Sequence, residues 1–91
     1  MKFLVSFALH EGKLHDTLKT FGAMSTEEEQ ALMGDKLKLI GRWHDLASGS
    51  GVGIYETDDA RALMKYALAW NETMDIEITP VVDDDEAKAL A

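Results

Sequence analysis

Arg42 and His44 are the residues whose types and spacing could do chemistry. They stand two apart in Gly41-Arg42-Trp43-His44-Asp45, so on a strand they share one face. An imidazole beside a guanidinium can act as a general base or bind an anionic group. Arg42 can also clamp a carboxylate through its planar fork. Each residue has a structural alternative. His44 can close a hairpin by hydrogen-bonding near Asp45, and Arg42 can form an ion pair with Glu56 or Glu77 on a neighbouring or partner strand. The candidate catalytic residues are therefore His44 and Arg42. The candidate ligand-binding set is Arg42, His44, Glu56 and Glu77.

Other constellations fall away on spacing. His10 and His15 are five apart around a helix start and do not share a helix face as a metal pair should. The chain has no cysteine, so no thiol nucleophile, cysteine-ligated zinc or iron–sulfur centre is available. No metal and no cofactor is expected. Gly49, Gly51 and Gly53 precede a strand, not a helix, and do not make a phosphate cradle. Asp83-Asp84-Asp85-Glu86 lacks the ligand spacing of a calcium loop. Ser6 has no nucleophile context. Trp43 and Trp70 could line a pocket, but aromatic residues in a small core are usually packing. Asn71 falls on the buried stripe of its helix and reads as a structural lock, since a buried amide needs partners.

Several elements must hold these residues. Residues 2–9 read as a first strand; neither face carries a charge, so it belongs in the middle of a sheet. Leu14, Leu18 and Phe21 recur at helical spacing within 12–23. Ser25 with Glu28, and Thr26 with Glu29, both fit a capping box that opens a short helix, with Gly34 as its stop. Residues 36–44 and 52–57 read as a hairpin around Ser48-Gly49-Ser50-Gly51. Thr57-Asp58-Asp59 offers an N-cap for a helix over 60–73, with Ala60, Leu63, Met64, Ala67, Trp70 and Asn71 as its inner stripe. The last strand covers 75–82. Pro80 would be costly in a central strand, so this strand is expected to lie at an edge or to end there.

Composition bounds the rest. Ninety-one residues suit one domain, divided here as 1–82 with an acidic tail at 83–91. The net charge of −8 would repel nucleic acid and an anionic membrane alike. The apolar N-terminal run is short and ends at His10-Glu11-Gly12-Lys13, without a cleavage site, so it reads as a strand and not a signal peptide. Absent cysteines fit a reducing compartment, and the expected location is the cytoplasm.

The β-α-β unit occurs twice, which is the ferredoxin-like plan: α+β, a four-stranded antiparallel sheet with helices on one face. The other face, with Leu4, Ser6, Ile40, Arg42 and Val81, is too apolar to lie open. A second copy is the simplest cover, so a homodimer is expected. Trp43 shares parity with Leu37 and Leu39 and should pack under the helices. That turns Arg42 and His44 outward, into the space between two sheets. A bulge near Gly41 would reverse this.

Gly41-Arg42-Trp43-His44-Asp45, Glu56-Thr57-Asp58-Asp59, Trp70-Asn71 and Thr79-Pro80-Val81-Val82-Asp83 together resemble a bacterial family catalogued as a domain of unknown function, some of whose members are labelled LysM-like. That family is similar to the dimeric α/β-barrel superfamily, in which two ferredoxin-like sheets face each other. The superfamily includes cofactor-free monooxygenases, haem-degrading enzymes, small-lactone isomerases and ligand-sensing domains. The resemblance implies a fold and a dimer, not an activity. The Ser25–Gly34 connection is longer than the family suggests and could alter access to the barrel. Three functions follow as expectations: binding of a small apolar molecule between the sheets, cofactor-independent monooxygenase or isomerase chemistry, and a purely structural or interaction role.

Overall fold

The computed structural model describes residues 1–91 as β1 (Lys2–Leu9), α1 (Leu14–Gly22), α2 (Thr26–Met33), β2 (Lys38–Asp45), β3 (Ser50–Glu56), α3 (Ala60–Trp70), β4 (Met74–Val81) and α4 (Asp84–Ala89). The four strands form one antiparallel sheet in the order β2-β3-β1-β4. β1 is central, as its uncharged run from Phe3 to Leu9 favours. β4 is an edge strand, which tolerates the missing N–H of Pro80. This is the ferredoxin-like arrangement.

The core lies between the sheet and the helices. Phe3 and Val5 of β1 and Tyr55 of β3 meet Leu63 and Tyr66 of α3, with Met33 and Leu37 closing one end. The inner stripe of α3 is rotated from the expected one. Leu63 and Tyr66 are buried, whereas Met64 is 52% exposed. Asn71 is not a buried lock: it is exposed and forms the C-cap of α3, its backbone N–H donating to the carbonyl of Ala67.

Helix starts follow the local chemistry. Ser25 and Glu28 form a reciprocal capping box on α2, which leaves Glu29 free to face inward. Asp59 caps α3 through the N–H of Arg61. α1 has no side-chain cap and none of its residues is fully buried. The hairpin between β2 and β3 is closed by Asp45, whose carboxylate accepts from the N–H groups of Ala47 and Ser48. Gly49 supplies the positive φ of 73° that this turn needs.

The tail is a short helix with its own capping box, Asp83 with Glu86. A positive group is at hand: Lys2 Nζ lies 3.3 Å from both Asp83 and Glu86.

Two glycines of β3 serve packing. A Cβ at Gly51 would fall 2.3 Å from the Phe7 ring and 2.5 Å from the carbonyl oxygen of Trp43. A Cβ at Gly53 would fall 2.8 Å from the Tyr55 ring. Aromatic rings thus fill the places where side chains at Gly51 and Gly53 would stand. Gly51→Ala should lower the unfolding free energy by about 1–3 kcal/mol through overpacking. Gly22→Ala, where a Cβ meets nothing within 4 Å, should leave it unchanged or raise it by up to about 1 kcal/mol. Urea denaturation of both variants checks this; an unchanged midpoint for Gly51→Ala contradicts the packing.

Candidate functional site

The pairing of β2 with β3 shifts register between Leu39 and Gly41. Leu39 lies opposite Tyr55 and Gly41 opposite Ile54, so Ile40 is the extra residue of a bulge. One added residue in a period of two reverses every side chain beyond it. Arg42 and His44 therefore turn toward the helices, and Trp43 turns to the open face, where it is 63% exposed. This corrects the parity expected for these three residues. The space that Arg42 and His44 line lies within the single chain, beneath its helices.

Arg42 is the hub. Its Nη2 donates to Glu29 of α2, and its Nη1 donates to the hydroxyls of Tyr55 at 3.1 Å and Tyr66 at 3.2 Å. Its guanidinium carbon lies 4.9 Å from the centroid of the Phe21 ring of α1. Arg42 and Glu29 keep only 12% and 23% of their side-chain exposure. Burial works against the arginine's charge, but the bonds to Glu29 and Tyr55 outweigh it and hold its pKa above the ordinary value. Burial likewise pushes the Tyr66 hydroxyl up to about 12, so at neutral pH it stays protonated.

Glu56 and Glu77 are not brought to this hub. Glu56 shares the open face with Lys2, its partner in the ladder, and sits 3.6 Å from the Lys2 ammonium. Glu77 pairs with Ser6 on that same face and is exposed. The sheet separates both from Arg42. The residues that do meet Arg42 were missed in the sequence. Glu29 was masked by two overlapping capping boxes. Tyr66 had a usable signal, standing three after Leu63 and four before Trp70.

His44 packs on Phe7 and Phe21, with ring centroids 5.7 and 5.6 Å away. Burial, then the charge of Arg42, hold its pKa below the usual 6.5. Phe21 also meets Trp70 of α3 in a T-shaped contact at 6.4 Å. The indole Nε1–H of Trp70 is buried and finds no acceptor on the chain.

These rings border a cleft of about 90 Å3 between the sheet and helices α1 and α3. Of its 21 lining residues, 15 are hydrophobic, so its floor and walls favour an uncharged occupant. Val5, Phe7, Ile76 and Ile78 form the floor; Leu14, Leu18 and Phe21 of α1 form the roof; Leu63, Ala67 and Trp70 of α3 form one wall. No group of three or more histidine, cysteine or carboxylate side chains is placed to hold a metal ion. No helix is long and apolar enough to cross a membrane.

A family model described as a domain of unknown function, DUF3303, matches residues 1–91. The chain belongs to that family. No curated protein matches it. Among solved structures it is similar to an uncharacterized NIPSNAP domain protein from Burkholderia xenovorans. The two share 16% identity at a TM-score of 0.53, over 92% of this chain and 97% of the other. At that identity the likeness establishes the DUF3303 chain's fold and nothing further.

The lowered pKa of His44 has a consequence for stability. The unfolded DUF3303 chain takes up the His44 proton near the ordinary value, and the folded one only at lower pH. Between the two values the unfolded state holds more protons, so stability rises with pH across that window and falls as the pH drops through it. An NMR titration should place the His44 midpoint below 6.5, and His44→Phe should flatten the slope of stability against pH there. A midpoint above the ordinary value contradicts the packing described.

Proposed function

We propose that the protein binds a small, uncharged, largely apolar molecule in the cleft beneath α1, within one protomer. The observation that carries this reading is an apolar cleft bordered by aromatic rings, whose one full cation, Arg42, is already engaged by Glu29. Binding sites for small molecules are concave and mostly apolar, with a few polar groups. An anion would have to compete with Glu29 for Arg42, and burying it otherwise would cost several kcal/mol.

The roof supports the same reading. α1 buries none of its residues completely, so little packing opposes its displacement by an entering molecule. Isomerase or monooxygenase chemistry at His44 gains less support. His44 borders the cleft, but its pKa responds only to burial and to the charges of Arg42 and Glu29, with no hydrogen bond to fix its tautomer.

Ethylbenzene, titrated into methyl-labelled protein, should give saturable shifts at Leu14, Leu63, Ile76 and Ile78. Ala67→Phe, which fills the cleft, should abolish them. Shifts confined to Val52 and Ile54 on the open face would place binding elsewhere and defeat the proposal.

The open face takes a second copy of the chain in the same account. It presents Leu4, Val52, Ile54 and Trp43, with Trp43 at 63% and Val52 at 40% exposure. Only 11 of 91 residues are buried in the isolated chain, so covering this face would add to a thin core at roughly 25 cal/mol per Å2. Light scattering at micromolar concentration should give twice the 10.1 kDa of one chain, and Trp43→Lys should shift the mass toward one copy. A single-chain mass for the unaltered protein rejects the dimer.

A further inference from the structure

We infer that Trp70 is the polar anchor of the cleft, donating its indole Nε1–H to a carbonyl-type oxygen on an uncharged aromatic ligand. This rests on the cleft being a binding site, and it adds the ligand's chemical class. Trp70 lines the cleft, and its Nε1 is the single buried side-chain polar atom of the molecule without a hydrogen-bond partner. A buried donor left unpaired costs about 1–3 kcal/mol, so native proteins seldom keep one without a use.

The nearest aromatic neighbour does not remove that cost. Phe21 packs against the indole at 6.4 Å with a 76° angle between the planes, and a ring is a weak partner for an N–H. Phe21 belongs to α1, which buries none of its residues completely. A ligand that shifts Phe21 slightly exposes the indole N–H and offers it an acceptor. The gain from that bond exists only in the occupied state, so it favours ligands with an oxygen at that end.

The cleft's other features set the rest of the ligand. Phe7, Phe21, Tyr55 and Tyr66 present ring faces and edges, which suit an aromatic body. Arg42 is held by Glu29, Tyr55 and Tyr66, so no free cation calls for a carboxylate.

Three probes of similar size separate these statements: acetophenone, ethylbenzene and benzoate. They are titrated into the full chain, with both indole N–H signals and the methyl signals of Leu63, Ile76 and Ile78 followed by NMR. Acetophenone should move the Trp70 indole proton downfield to saturation and leave that of Trp43 in place. Ethylbenzene should shift the methyls without the downfield move. Benzoate should not saturate.

In Trp70→Phe the affinity for acetophenone relative to ethylbenzene should fall roughly three- to tenfold, the worth of one hydrogen bond. The indole shift in the unaltered protein decides the matter even if that variant fails to fold. Equal methyl shifts from both neutral probes, with a stationary Trp70 proton, would overturn the anchor and leave the cleft reading intact. Methyls unmoved by either neutral probe would overturn the cleft reading and the anchor with it. Benzoate binding more tightly than acetophenone would overturn the uncharged class.

Discussion

Taking a guanidinium out of water costs several kcal/mol, and a fold can tolerate it only by surrounding the charge with partners. Arg42 is enclosed by Glu29 from α2, Tyr55 from β3, Tyr66 from α3 and Phe21 from α1. Three helices and a neighbouring strand are thereby tied to one residue of β2. Removing Glu29 alone would strand a charge, and removing Arg42 alone would strand a carboxylate and two hydroxyls. The network is thus better understood as fixing where the helices sit than as a source of net stability. It also leaves the adjacent cleft without a free charge, since Arg42 and Glu29 are engaged with each other.

The bulge at Ile40 makes this enclosure possible. Without the extra residue, Trp43 would point under the helices and Arg42 would face outward. The indole would then occupy part of the space that is now cleft. The small residues of β3 complete the arrangement, since Gly51 and Gly53 let the rings of Phe7 and Tyr55 lie against the strand. A floor of Val5, Phe7, Ile76 and Ile78 and an α1 with no fully buried residue leave a gap that a better-packed helix would close. The cleft therefore follows from register and side-chain size, not from any catalytic motif.

The element order was legible in the sequence because it rests on local signals. The uncharged run Phe3–Leu9 of β1, the Ser25–Glu28 box, the Asp59 cap and Pro80 each act within a few residues of themselves. The direction of Arg42 was not legible, because a bulge depends on the partner strand and leaves no mark on alternation alone. The same holds for its partner. Glu56 and Glu77 are as acidic as Glu29, and only the folded register shows that the sheet stands between them and Arg42. The packing role of Gly51 and Gly53 was not legible, because the ring that Gly51 admits comes from Phe7, far away in the chain, and the ring beside Gly53 belongs to Tyr55. On α3 the expected stripe included Met64 and left out Tyr66, a difference of phase that a short helix with apolar residues on several sides does not resolve.

The accessible apolar space of this protein lies beneath α1, within the single chain. Xenon enters apolar cavities and scatters strongly enough to be seen at partial occupancy. A crystal pressurised with xenon should show the atom among Phe7, Phe21, Leu63 and Ile76. Xenon seated only on the open face, beside Trp43 and Val52, with nothing beneath α1, would contradict the account.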